Sequence, residues 1–219
     1  MEPKYILFDM DGVLADSRDS IIATTKHTLA HFGREFDPSC EKKIIGPPLF
    51  RIYNEIFGFD KETAEEATKE YRKFYSENAL DLLKTFPGVR EMLEVLTAHD
   101  KKLIVCTARY ESSAEMVLEK IGIRDFFCFI GGLNGTSADG VSRTKKADVI
   151  RYIFRENGIT DPENAVMVGD RKDDIDAAIE NNIASIGVTY GFGNPGELDG
   201  ATVLASSPEE IAGLIINGF

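Results

Sequence analysis

Two aspartates, Asp9 and Asp11, follow the first apolar run of the chain, Tyr5–Phe8, and Gly12 comes directly after them. In an extended segment, residues two apart point to the same side, and glycine allows a sharp turn. Alone, Asp-x-Asp-Gly reads as readily as a plain turn. A second acidic box changes the weighing. Val166-Met167-Val168-Gly169-Asp170 also ends an apolar run in an acid, and Asp173, Asp174 and Asp176 follow. Carboxylates gathered from two such ends repel one another unless a cation neutralises them. A hard divalent cation with oxygen ligands, chiefly Mg²⁺, meets that need. Asp173 or Asp174 also suits the N-terminus of a helix over Ile175–Asn181, and the two roles are compatible.

Two further segments add groups for an anion. Leu103-Ile104-Val105-Cys106 leads into Thr107-Ala108-Arg109, where a hydroxyl and the following backbone N–H groups suit an anionic oxygen. Lys145 and Lys146 open a helical pattern that Thr144 is placed to cap, and a cation there compensates phosphate and carboxylate charge.

The elements that must position these groups follow from apolar patterning. Tyr5–Phe8, Leu103–Cys106, Phe126–Ile130, Ala165–Val168 and Ala184–Val188 are short apolar runs without polar alternation, as in strands buried on both faces. Amphipathic stretches Glu111–Ile121, Lys146–Asn157 and Asp174–Asn181 lie between them. Ser207-Pro208-Glu209-Glu210 reads as a capping box opening a last helix. The alternation predicts an α/β fold: a Rossmann-like parallel sheet sandwiched by helices. Ligands of such sheets bind beyond the carboxyl ends of the strands. From about residue 17 to 85 the periodicity is helical throughout, with Asp60 as N-cap of Lys61–Asn78 and Gly46-Pro47-Pro48 as an interruption. An all-helical insert, residues 17–85, is therefore expected after the first strand of a core formed by 1–16 and 86–219. The insert carries 11 basic and 12 acidic residues against 14 and 25 in the remainder, so the acidity is concentrated in the core.

Asp9-x-Asp11-Gly12-Val13-Leu14-x-Asp16-Ser17, Thr107, Lys146 and Gly169-Asp170-x-x-x-Asp174 together resemble the motifs of the haloacid dehalogenase superfamily. Ile45-Gly46-Pro47-Pro48-Leu49, Tyr71-Arg72 and Phe86-Pro87-Gly88-Val89 resemble its phosphoglycolate-phosphatase-like branch, in which the insert is a helical cap. Arg109 stands where relatives commonly carry lysine, and Ala147 follows Lys146 in place of a frequent proline. Lys145 competes with Lys146, which the family register favours.

The resemblance implies a phosphatase acting on a small phosphorylated metabolite: phosphoglycolate-like, a nucleoside monophosphate or a sugar phosphate. Asp9 would be the nucleophile and Asp11 the general acid and base. Thr107, the backbone at Ala108, and Lys146 would hold the phosphate. Mg²⁺ would be bound by Asp9, the Asp11 carbonyl, Asp170 and Asp174. Arg51, Arg72 and Arg109 are candidates for the substrate's far end, and a cap hinged near Asp16–Ser17 and Thr85–Gly88 would close over the site. A phosphomutase of the same superfamily and a non-catalytic phosphometabolite-binding protein are the alternatives. Asp11 argues against the dehalogenating branch, which lacks it.

The 219 residues suit one large domain with an insert. A net charge of -12 disfavours nucleic-acid and anionic-membrane binding by bulk charge. No apolar run approaches the ~20 residues of a membrane span, and the N-terminus lacks a signal-peptide layout. Cys40, Cys106 and Cys128 read as buried thiols of a reducing, cytoplasmic environment. Monomer and homodimer are both open. Gly191-Phe192-Gly193-Asn194-Pro195-Gly196 fits G-x-G-x-x-G, but Pro195 and Gly196 disfavour the helix a dinucleotide site needs. His27 and His31 have zinc-compatible spacing without an evident third ligand.

Overall fold

A computed structural model describes residues 2–134, 142–194 and 196–219. The chain divides into two units, Met1–Ala15 with Thr85–Phe219, and Asp16–Lys84. In chain order the elements are β1 (Tyr5–Phe8), β2 (Ala15–Asp16), α1 (Arg18–His31), α2 (Glu41–Ile44), α3 (Leu49–Arg51), α4 (Lys61–Phe74), β3 (Lys84–Thr85), α5 (Val89–Ala98), β4 (Lys102–Tyr110) and α6 (Glu111–Lys120). They continue with β5 (Phe129–Leu133), α7 (Lys146–Asn157), β6 (Ala165–Gly169), α8 (Lys172–Glu180), β7 (Ala184–Val188), β8 (Val203–Ala205) and α9 (Pro208–Asn217).

The larger unit is built on a six-stranded sheet of order β5-β4-β1-β6-β7-β8, with the five pairings parallel. Residues of β1, β6 and β7 are almost all buried, which explains their unbroken apolar sequence. Leu7, Ile104 and Met167 point to one face, where α7 and α8 bring Ile150, Ile153, Ala177 and Ala178 against them. Helices α5 and α9 pack on each other and on the strands. From β1 the connection leads to β4 on one side, and from β6 to β7 on the other. The connections leaving the carboxyl ends of β1 and β6 therefore run to opposite sides, the switch point at which open α/β sheets usually bind ligands.

Several expectations need correction. β4 runs on to Tyr110, so Thr107, Ala108 and Arg109 lie inside the strand, where its register with β5 shifts between Cys106 and Tyr110. β5 begins at Phe129, three residues later than expected, because Arg124–Phe126 forms a 3₁₀ turn. The strand then passes through Gly131, where a Cβ would stand 2.6 Å from Ile153; glycine lets α7 lie close. The edge strand β8 was not foreseen. α8 begins at Lys172 rather than Asp174. Thr144 does not cap α7: Lys145 is the N-cap residue, and Asp148 Oδ2 accepts from the Thr144 and Lys145 N–H groups at 3.1 and 3.2 Å. Of the three free cysteines only Cys106 is buried; Cys40 is half-buried and Cys128 exposed. Pro195, part of the glycine-rich run, lies outside the described residues.

The smaller unit is helical, as expected, apart from the terminal residues of β2 and β3. Asp60 caps α4, its Oδ1 accepting from Thr63 N at 2.9 Å. The helix ends four residues before Asn78, passing into a π-helical turn over Tyr75–Ala79. Tyr53, Tyr71 and Phe59 form its aromatic core. His27 Nε2 donates to Glu70 Oε1 at 3.0 Å and its ring stacks on Phe74, so the ring is taken up in packing of α1 on α4.

Candidate active site

Asp9 immediately follows β1, and its N–H donates to Val168 O at 2.8 Å, tying it to β6. The chain then turns tightly: Leu14 and Ala15 N–H both bond Met10 O, and Gly12 N–H bonds Ala15 O. Gly12 has φ +90°, and a Cβ there would overlap Asp170 Oδ2. The second acidic box thus lies against the first.

Asp9, Asp170 and Asp174 are buried and offer oxygens within 4.8 Å of one another. Lys146, buried at the start of α7, points between them. Its Nζ lies 3.0 Å from Asp9 Oδ1 and donates to Asp174 Oδ1. Asp174 Oδ2 accepts from Arg171 N–H at 3.0 Å, so this acid serves the first turn of α8 and the lysine together. Asp173 and Asp176 are exposed, and Asp176 pairs with Lys172. Lys145 points elsewhere, with Nζ 2.7 Å from both oxygens of Glu180. The register of α7 turns only the second lysine inward.

Asp170 Oδ2 accepts from Phe192 N–H at 2.6 Å, whereas Asp170 Oδ1 is buried without a hydrogen-bond partner. The segment after β7 closes over this carboxylate. A Cβ on Gly191 would stand 2.5 Å from Asp170 Cβ, and one on Gly193 would overlap Asp170 O. Tyr190 hydroxyl donates to Val13 O at 2.9 Å, joining that segment to the turn after β1. Gly191 and Gly193, which sequence reasoning considered only for a dinucleotide, are small because a carboxylate and backbone pass beneath them.

Asp9 and Asp174 share one ammonium, and Asp170 stands beside them without it. Burial lifts the Asp9 carboxyl well above the usual range; Lys146 opposes this, while Asp174, Asp170 and Asp11 add to it. Burial first, and then Asp174, push Asp170 up to about 7. Burial works against the Lys146 charge, but Asp174 and Asp9 together hold its ammonium well above its ordinary value. With Lys146 charged, the ionised cluster retains two negative charges. The orphaned Asp170 Oδ1 and the all-oxygen donor set therefore fit a divalent hard cation.

The model of the haloacid dehalogenase-like hydrolases matches residues 6–188. The chain belongs to that family. A 5'-nucleotidase of Pseudomonas aeruginosa is 34% identical over 194 residues, covering 88% of this chain and 86% of its own. The tyrosine-protein kinase PtkA of Mycobacterium tuberculosis is 33% identical over 90% of this chain and 66% of its own. A solved structure described as a "predicted phosphatase" from Clostridium acetobutylicum superposes with a TM-score of 0.88 at 35% identity, covering 100% of both chains.

The remaining candidates of this hydrolase are placed as follows. Thr107 is buried, and its Oγ1 accepts from Arg109 N–H at 3.2 Å, a local turn within the irregular stretch of β4. Ala108 is half-buried between them. Arg109 grips Asp11 with two hydrogen bonds, a pairing that sequence reasoning missed. Arg51 and Arg72 belong to the helical unit, where Arg51 pairs with Glu55 at 2.7 Å.

Proposed function

We propose that this hydrolase is a Mg²⁺-dependent phosphatase that cleaves small phosphomonoesters through a phosphoryl group carried on Asp9. The reading is carried by the buried cluster of Asp9, Asp170 and Asp174, in which Lys146 pairs with Asp9 and Asp174 and Asp170 Oδ1 is left unpartnered. The enzyme is a phosphoric monoester hydrolase. Its relatives named 5'-nucleotidase and phosphoglycolate phosphatase support that class.

Asp9 attacks phosphorus as the bond to the ester oxygen breaks, and Asp11 gives its proton to the departing alkoxide. Asp11 then takes a proton from the water that attacks the same phosphorus, which releases inorganic phosphate and restores Asp9. Thr107, the Ala108 backbone and Lys146 hold the non-bridging oxygens, so that positioning and charge neutralisation supply most of the rate. Asp9, the Asp11 carbonyl and Asp170, with Asp174 directly or through water, would hold Mg²⁺, which would supply positive charge where an anionic nucleophile meets an anionic phosphate. Phosphoglycolate-like, nucleoside monophosphate and sugar phosphate esters are the candidate substrates. We assign the choice among them to the helical unit as a cap, with Arg51 and Arg72 as its cationic side chains. The free cysteines suit the cytoplasm, and no helix among the described residues is long and apolar enough to cross a membrane.

Phosphate release from p-nitrophenyl phosphate, with and without Mg²⁺, tests the reading. Release is expected only with the metal, and not from Asp9→Asn, which keeps the shape and removes the nucleophile. Undiminished release by that variant overturns the proposal.

A further inference from the structure

Arg109 Nε donates to Asp11 Oδ2 at 2.7 Å and Arg109 Nη2 to Asp11 Oδ1 at 2.8 Å. Only 14% of the arginine side chain and 15% of the aspartate side chain are exposed. A guanidinium fork on a carboxylate is strong and strict in geometry, because two parallel bonds engage both oxygens. The fork takes one lone pair of each Asp11 oxygen and fixes the plane of the carboxylate, so an Asp11 held this way cannot turn toward a leaving group. The pair must therefore part before Asp11 can swing to the ester and give or take a proton there.

The position of Arg109 suggests what parts them. It stands two residues beyond Thr107, on the irregular stretch of β4 at the carboxyl end of the sheet. A guanidinium there lies close to any group attached to a phosphoryl held by Thr107. A carboxylate or second phosphate on the substrate offers Arg109 a pair of anionic oxygens like the pair Asp11 now supplies. An ester without such a group offers no replacement, and opening a largely buried ion pair uncompensated is costly.

We infer that Arg109 is a positioning residue that holds Asp11 in reserve and exchanges it for a second anionic group of the substrate. The enzyme therefore favours phosphomonoesters that carry one. This rests on the assignment of Asp11 as acid and base made above.

Two esters of equal length, 2-phosphoglycolate and 2-hydroxyethyl phosphate, differ in a carboxylate and test the exchange. For the wild-type enzyme kcat should be about tenfold or more higher with the carboxylated ester. Arg109→Gln should lower that kcat and raise kcat for 2-hydroxyethyl phosphate, bringing the two together. Arg109→Lys, with a charge but no fork, should fall between. An equal fall on both esters makes Arg109 merely structural and overturns the inference. So does a wild-type preference confined to KM, or an unchanged ratio in Arg109→Gln. If the wild type releases phosphate from neither ester nor from an aryl phosphate, the phosphatase reading itself fails, and the exchange with it.

Discussion

Lys146 stands between Asp9 and Asp174, with its ammonium 3.0 Å from one carboxylate and hydrogen-bonded to the other. Removing the ammonium leaves buried negative charge facing negative charge. Lys146→Met should cost about 3–5 kcal/mol of stability in metal-free protein, the usual penalty for breaking a buried pair. Lys145→Met, which removes an exposed pair with Glu180, should change stability by no more than about 1 kcal/mol. Urea unfolding of both variants makes the comparison, and equal losses would count against the inward role of Lys146.

Asp11→Asn should lower kcat by roughly 10²–10⁴, the ordinary value of a general acid and base. Steady-state kinetics on 2-phosphoglycolate, whose alkoxide leaving group needs a proton, measure it. A fall of less than tenfold would remove Asp11 from the proton-transfer role.

The metal-free protein should lose stability as pH rises. Burial pushes Asp170 up to about 7 and lifts Asp9 as well. An unfolded aspartate titrates near ~3.9. Between those values the folded chain holds protons that the unfolded chain has released, so unfolding becomes easier with increasing pH. With a chelator present, the drop from about pH 5 to about pH 8 should be on the order of 2–4 kcal/mol from Asp170 alone. Excess Mg²⁺ should remove most of it, because the ion binds the ionised carboxylates. A chelated protein more stable at the higher pH contradicts this account.

Gly191→Ala should weaken Mg²⁺ binding and activity together. The added methyl meets Asp170 Cβ and Gly12 O, each at 2.5 Å, and neither is the loose end of a flexible chain. Overpacking of this kind costs about 1–3 kcal/mol. Calorimetric Mg²⁺ titration beside a thermal melt separates displaced Asp170 from general destabilisation. Wild-type metal affinity in the variant would show that the loop after β7 does not hold Asp170 in place.

Much of this site was legible because the sheet is buried on both faces. Tyr5–Phe8, Ala165–Val168 and Ala184–Val188 announce themselves as unbroken apolar runs, and the acids that end two of them belong at adjacent strand ends once the sheet is parallel. β5 begins and ends later than the apolar run Phe126–Ile130 because Arg124–Phe126 turns in a 3₁₀ helix and the strand continues through Gly131, which answers the close approach of α7. The glycines after β7 were set aside as a dinucleotide site without a role in their place, because spacing reports small residues without saying what passes beneath them. Arg109 and Asp11 are 98 positions apart, and no local period links them. The choice between Lys145 and Lys146 turned on the rotation of one helix about its axis.

The helical excursion begins at Ala15–Asp16 and ends at Lys84–Thr85, and those two short segments pair with each other. A detour that departs and returns at one doorway leaves the register of the sheet undisturbed whatever its length. The machinery at the strand ends can thus stay constant while the detour is lengthened, trimmed or exchanged whole.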